Sequence, residues 1–462
     1  MGEIMIGKVE VEKKDYVFEF SNNTLNVYFD NDTARVLFME KYATGVFLPE
    51  ERKELPFEKL DGILIDGSSR VTFYFRKNNY GWEHKITTVS SGSWDLKVNI
   101  DKYLLYTYCE MREFTQISFY SKEFQKFLNM APNISINPFN DKMTSGKINF
   151  EFDSVNMKNE FKVGDLTYLI YPAYSLIWKG PEFDFTPGLS LRWQEQPSEK
   201  QILRLSEVMV HFIQYCFMRT NIYPEEINIL TRNIKGSLHF CIGNIKREKA
   251  DKYDIYRDAL PWCLIYKASG NIISSIYCDE IHLLNLPSEK ILRLWVGLES
   301  ISKDAAAFEN EFDNLYPNGI PYSEERKNIE DEIVSEITPL MEKSVSRKKK
   351  IYKGFIKHVH MESLRDKMEY ALGEYSGCIE TIKNRFAKDM SYKEIAEVCS
   401  NARNDIDHGN KLNGLDQKVV QGYIIIRGLI YAIQLSRFGM KQDEINSSIN
   451  DLFLLPEVPY SR

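Results

Sequence analysis

The hydrophobic pattern of this chain changes its dominant period near Pro287 and Ser288, and that change limits what each part can fold into. From Lys8 to Trp178 apolar residues alternate with polar ones: Val9, Val11, Tyr16, Phe18 and Phe20 share one parity, and Leu25-Asn26-Val27-Tyr28-Phe29 follows a Ser-Asn-Asn-Thr turn. Val71 to Phe75, Leu96 to Ile100, Tyr103 to Tyr108, Thr115 to Tyr120, Ile148 to Phe152 and Leu166 to Tyr171 read the same way. Period-2 runs punctuated by Gly, Asn, Asp and Ser predict an antiparallel sandwich or barrel. Beyond Ser288, Ile291, Leu294, Trp295, Leu298 and Ile301 recur at helical spacing, with Ser288 as the expected cap. Further helices are expected over 324–344, 347–371, 376–388, 392–408 and 416–438, which together describe a bundle.

The expected fold class is therefore α+β and multidomain, with a β-rich, sandwich-like region over 1–285 and an all-helical bundle over 286–462. Within the first region, Glu182 to Gln196 reads as an irregular crossover, because Pro181, Pro187, Gly188 and Pro197 crowd it. A helix over 198–220, capped by Ser198, either sits within one large β region or joins two lobes of it. Short strands are expected to return at Leu238 to Ile242 and Ile272 to Cys278. The loop from Asn129 to Ser145 is long enough to carry binding residues.

Composition narrows the function. The 462 residues carry a formal charge of −7, and the part from Ser288 onward holds 25 Lys and Arg against 28 Asp and Glu. No domain-wide basic field advertises nucleic acid, so any RNA contact must be local. The densest basic patch is Arg347-Lys348-Lys349-Lys350, which can meet an RNA backbone or form a solvated helix face. Seven cysteines, Cys109, Cys216, Cys241, Cys263, Cys278, Cys378 and Cys399, occur singly, with no zinc-finger spacing. Scattered thiols of odd number suit a reducing, cytoplasmic compartment. Met1 to Lys14 is polar and alternating, unlike a signal peptide. The apolar run Tyr423 to Leu435 is too short to cross a bilayer and contains Arg427, so it reads as the buried central helix of the bundle and not as a membrane segment. No Gly-rich phosphate loop, G-x-S-x-G or H-E-x-x-H is present, and neither metal nor cofactor is expected.

One stretch combines groups suited to chemistry: Arg403-Asn404-Asp405-Ile406-Asp407-His408-Gly409, at the end of the expected helix 392–408. Asn404 and His408, four apart, fall on one helix face. Arg403 lies roughly 140° from His408 around the axis, but it has a long side chain, and Gly409 can supply a left-handed cap. The helix C-terminus favours imidazolium. The chemistry these residues allow is attack of a ribose 2′-hydroxyl on its own phosphodiester. His408 moves the proton, Arg403 holds the crowded phosphate, and Asn404 orients either one. His84, His211, His239, His282, His358 and His360 lack sequence neighbours of the needed type.

The stretch resembles the signature of the HEPN superfamily, whose ribonuclease members carry Arg, a polar residue and His on a helix of a bundle. The layout of the chain is similar to one branch, the ApeA-like anti-phage proteins. Two further places carry that resemblance: Leu60-Asp61-Gly62 with Gly67 and Arg70-Val71-Thr72-Phe73, and Leu294 to Ser300. Phe73 stands where Leu is common. The resemblance implies a metal-independent endoribonuclease of abortive infection, acting on host RNA such as tRNA through Arg403, Asn404 and His408. It also implies a homodimer formed through the bundle and a β region that senses a phage-derived trigger. Glu299, next to Leu298, is either a supporting residue for Arg403 or His408 or an exposed Glu on an amphipathic helix. A non-catalytic HEPN protein that dimerises, or binds a nucleotide or partner, is the competing expectation. A carbohydrate-binding sandwich with a helical accessory domain has no positive signal.

Overall fold

A computed structural model describes residues 4–11, 13–30, 55, 58–78, 80–88, 91–107, 114–128, 133–138, 146–151, 157–179, 182–230, 235–241, 258–281, 286–321, 324–359, 362–409 and 416–453. Cys109, His282, His360 and most of the loop 129–145 lie outside them. The chain divides into two compact units, Met1–Ser206 with Tyr223–Ala250, and Glu207–Ile222 with Asp251–Arg462.

The first unit contains β1 (Met5–Val11), β2 (Lys14–Ser21), β3 (Thr24–Phe29), β4 (Lys59–Leu64), β5 (Ser69–Tyr74), β6 (Tyr80–Thr88), β7 (Ser91–Asn99), β8 (Lys102–Thr107), β9 (Gln116–Tyr120), β10 (Asn133–Pro138), β11 (Gly146–Glu151), β12 (Asn159–Val163), β13 (Leu166–Lys179), β14 (Glu182–Trp193), β15 (Glu226–Leu230) and β16 (Lys235–Phe240). Fourteen of them form one antiparallel ladder in the order β12-β13-β14-β9-β15-β16-β8-β5-β4-β1-β2-β3-β7-β6, and β10 pairs with β11 alone. The alternation seen in sequence is kept: Met5, Val9 and Val11 of β1 are buried while Ile6, Lys8 and Glu10 are exposed.

The ladder curls upon itself. Four steps separate β2 from β8, roughly 19 Å in a flat sheet. Yet the rings of Phe20 and Tyr103 lie 5.2 Å apart, and those of Phe18 and Phe73 5.3 Å. Strong twist brings the inward faces together around Val9, Phe18, Leu25, Val71, Phe73 and Leu96. Of the expected sandwich or barrel, the structure shows a large antiparallel sheet in the form of a continuous, curled ladder. Glu182–Trp193 is a strand and not the irregular crossover its prolines implied. Pro187 sits where β9 ends, its carbonyl accepting from Ser121 N at 3.1 Å, so its missing N–H breaks no ladder bond to β9. A Cβ on Gly188 would lie 2.4 Å from Phe119 O, so glycine permits that close pairing.

Helices α1 (Phe124–Leu128) and α2 (Glu199–Phe217) follow, α2 passing from the first unit into the second. Its first turn is anchored by Glu199, which accepts from Tyr74 Oη at 2.8 Å and Lys59 Nζ at 3.1 Å. The second unit adds α3 (Trp262–Tyr277), α4 (Leu298–Leu315), α5 (Glu324–Glu342), α6 (Ser346–Val359), α7 (Leu364–Glu374), α8 (Ser376–Phe386), α9 (Tyr392–Asp407), α10 (Gln417–Arg437) and α11 (Gln442–Phe453).

Three expectations are corrected here. Ile272 to Cys278 is not a strand: Trp262, Ile265, Ala268, Ile272 and Ile276 bury one face of α3 at helical spacing. Ser288 does not open a long helix. A short 3-10 turn, Lys290–Leu294, comes first, and α4 starts after Gly297, over which the Trp295 ring folds. The helix expected over 347–371 is two, because Ser363 caps a new one, its hydroxyl accepting from Asp366 N at 3.2 Å. The compact units also part from the expected division at 285/286, since most of α2, and all of α3, belong with the helical unit.

Helix α10 forms the centre of that unit, buried from Gly422 to Leu435. It is long and apolar enough to cross a membrane, but 83 % of that window is buried inside the protein. Its Arg427 is enclosed: Nε donates to Asp304 Oδ2 at 2.7 Å, and Nη1 to the carbonyls of Arg293 and Trp295 at 2.8 and 2.9 Å. Seven residues on, Gln434 donates to Glu311 Oε1 at 2.9 Å. Both partners advance by seven residues, so α4 and α10 run in the same direction.

Burial pushes the Asp304 carboxyl up to about 6, against the pull of Arg427. A carboxyl raised above its ordinary 3.8 binds protons more tightly folded than unfolded. Its contribution to stability is complete below pH about 4 and declines as pH rises through about 6. Denaturant titrations of the natural chain and Asp304→Asn at pH 4 and pH 7 check this. The natural chain should lose more stability than the variant across that interval, and parallel losses would contradict it.

Candidate active site

Helix α9 is built to present its C-terminal end. Ser391 caps its start, accepting from Glu394 N at 3.1 Å. Ile395, Ala396, Cys399 and Ala402 bury one side. Cys399 packs where Gly422 of α10 leaves room: a Cβ on that glycine would meet the sulfur at 2.6 Å. Tyr423 adds a lock, its Oη donating to the Cys399 carbonyl at 2.9 Å. The last turn closes as His408 N donates to Asn404 O and Gly409 N to Ile406 O, both at 3.0 Å, with Gly409 at φ +69°. This is the left-handed stop the sequence predicts.

Arg403 and Asn404 thus lie on the last turns of this helix, and His408 is its C-cap residue. Asn404 and His408 are exposed, and among the described residues their side chains make no hydrogen bond or ion pair. Arg403 is different. It is about one-third exposed, with Nη1 3.0 Å from Asp407 Oδ2 and Nη2 3.8 Å from Glu309 Oε2 on α4. Tyr423 lies beneath this group. Burial first, then Cys399 and Asp304, hold its phenol above the ordinary range, with Arg403 opposing.

Of the two readings of Glu299, the structure shows the exposed residue and does not bring it to Arg403 or His408. Its side chain is exposed and pairs with Lys303 one turn along α4 at 2.5 Å, which holds its carboxyl below the usual range. Glu309, about 15 Å further along the same helix, supplies the carboxylate facing Arg403. Sequence reasoning missed Glu309 because nothing local links it to Arg403. It also missed Asp407, although its i, i+4 spacing from Arg403 was a readable signal.

Arg347, Lys348, Lys349 and Lys350 are exposed on α6, which packs chiefly on α5 and not on the helix carrying Arg403. Other nucleophiles are poorly placed. Burial raises the thiols of Cys216 and Cys399, pushes Cys378 up to about 11, and with Asp101 pushes Cys241 up to about 12. These four remain protonated at neutral pH. Among the described residues no group of three His, Cys, Asp or Glu is arranged to hold a metal ion.

In the first unit, Gly62, Gly67 and Arg70 line a cavity of about 490 Å³, with Lys8, Asp61 and Tyr106. Gly67 lies in a turn at φ +70°, but Gly62 is within β4, where a Cβ would meet the Phe18 ring at 2.9 Å. The volume falls in the range of small-ligand sites. Comparison of the chain with protein-family models, with curated proteins and with solved structures found no match.

The cap beside His408 is testable. A Cβ on Gly409 would meet nothing within 4 Å, so the cost of Gly409→Ala is conformational. It should lower stability by roughly 1–2 kcal/mol in thermal unfolding, with Gly409→Asn milder. Equal stability of all three would contradict the left-handed cap.

Proposed function

We propose that the chain is a metal-independent endoribonuclease whose catalytic residues are Arg403, Asn404 and His408. The observation that carries this reading is the placement of those three residues on the exposed end of α9, with Arg403 steadied by carboxylates. The 2′-hydroxyl of one nucleotide attacks the adjoining phosphorus while His408 accepts its proton. The 5′-oxygen leaves and takes up a proton. Arg403 neutralises the charge that accumulates on the phosphoryl oxygens, and Asn404 orients the phosphate. The resemblance of Arg403 to Gly409 to the HEPN signature supports the same assignment, and with it defence by cleavage of host RNA such as tRNA.

The ion pairs of Arg403 give the reading a regulatory side. Two carboxylates already occupy the guanidinium, so an incoming phosphate must displace Asp407, Glu309 or both. The resting chain is therefore restrained at the residue that binds the transition state. The first unit, with its cavity beside Arg70, is the part proposed to receive a phage-derived trigger. The competing reading, a non-catalytic binding protein, draws on this same neutralised arginine.

The test is cleavage of total cellular RNA with a chelator present. The natural chain should cleave, and Arg403→Ala and His408→Ala should lose at least 100-fold, in line with removal of a general acid–base group. Cleavage that survives His408→Ala, or none by any form, would overturn the assignment. A second prediction separates restraint from catalysis. Asp407→Asn frees one edge of Arg403 and should raise the basal rate several-fold, whereas a fall would make Asp407 a supporting residue.

A further inference from the structure

Strand β13 outruns its neighbours. It is 14 residues long, while β12 beside it has 5 and pairs only with Leu166 to Ile170. From Tyr171 to Lys179 no described strand meets β13 on that side, and β14 alone pairs with it. On the far side of β14, pairing with β9 begins only at Gly188. The two strands therefore run on past the ladder as a two-stranded ribbon. On its β14 side, Lys122 Nζ lies 3.3 Å from Asp184 Oδ1, and α1 packs on β14. On its β13 side, roughly 30 Å of strand edge is left open by the described strands. Large side chains are exposed there on both faces, Tyr174 and Leu176 on one and Ile177 on the other. The Tyr174 ring stacks on that of Phe185, with centroids 5.8 Å apart.

An open strand edge invites pairing, and the two end strands of the ladder carry guards against it. In β12, Glu160 and Lys162 are exposed; β6 contains Glu83, His84 and Lys85 and has a register shift near Ile86. Ala173-Tyr174-Ser175-Leu176-Ile177-Trp178 has no charge and no proline, and its register on β14 is unbroken. We propose that this edge docks an extended polypeptide segment of a partner protein, which adds beside β13 as a further strand, end to end with β12. A strand edge offers N–H and C=O groups at a repeat of two residues, and a second extended backbone is what matches that repeat. Apolar residues at alternate positions of the segment would cover Tyr174 and Leu176 on one face, or Ile177 on the other. A second copy of the chain is a poorer occupant. Self-pairing would draw on Tyr171–Lys179 alone, against the roughly 20–30 residues a side of a stable interface. A bilayer is poorer still, because the open backbone edge would enter hydrocarbon unsatisfied. For RNA the stretch holds one cation, Lys179. Docking here does not depend on ribonuclease chemistry.

Selection of a random-peptide library on the immobilised full chain tests it, with the enriched peptide then synthesised as the probe. Enriched sequences should carry apolar residues at every second position. Methylating alternate backbone nitrogens of the peptide should abolish binding in one phase and spare it in the other, because only one set of N–H groups faces β13. Leu176→Lys with Ile177→Lys should weaken binding at least tenfold while circular dichroism stays unchanged, since both side chains are exposed. Should those substitutions unfold the chain, protection of the Tyr171–Lys179 amides from hydrogen exchange by the peptide decides in their place. No enriched peptide, or one indifferent to the phase of methylation or to the substitutions, would overturn the proposal. So would a chain that dimerises through this edge, or one that binds neutral phosphatidylcholine vesicles until Leu176 and Ile177 are changed.

Discussion

The helical unit depends on how the buried guanidinium of Arg427, at the middle of α10, is satisfied. A charge in the middle of an apolar helix is tolerated only if close hydrogen bonding offsets much of its desolvation. Here the Asp304 carboxylate and two carbonyls supply it, and all three come from the segment that leads into and begins α4. The sharp entry of the chain at Lys290–Leu294 and Gly297 follows from the same demand, because the carbonyls of Arg293 and Trp295 must turn inward. Arg293 is itself buried and donates to the carbonyls of Asp258 and Leu452 at 2.7 and 2.9 Å. Two arginines thereby tie several separated segments to one centre.

That centre sets the geometry of the proposed site. Fixing Asp304 against Arg427, and Glu311 against Gln434, fixes the register of α4 along α10. Helix α9 is held to α10 independently, through the Cys399–Gly422 contact and the Tyr423 hydrogen bond. With both helices placed on α10, Glu309 comes to face Arg403. The restraint on the candidate catalytic arginine is thus a product of core packing. The contact between Glu309 and Arg403 therefore depends on the register of α4 along α10 and not on α9 alone.

Much of this was readable from local pattern. The strands from Val9 to Phe29 followed from alternation, and the end of α9 from Gly409. What could not be read had two causes. Some signals were degenerate: the isoleucines of Ile272 to Ile276 fit a strand run as well as a buried helix face, and length alone would have decided. Pro187 marked an irregular segment because prolines usually do, but the end of β9 gave it a place in a strand. Other features were non-local. Glu299 looked like a partner of the site because it adjoins a recognisable segment, yet along a helix ten residues move a side chain by about 15 Å. Only the packing register showed that Glu309 occupies that place.

The most direct measurement is the chemistry of the ends left on cleaved RNA. Attack by a neighbouring 2′-hydroxyl, with His408 moving the proton and Arg403 on the phosphate, must leave a 2′,3′-cyclic phosphate on one fragment and a 5′-hydroxyl on the other. End-group analysis of RNA cut by the purified natural chain should find that pair. Fragments ending in a 3′-hydroxyl and a 5′-phosphate would mean that water was the nucleophile, and would contradict the roles assigned to Arg403, Asn404 and His408.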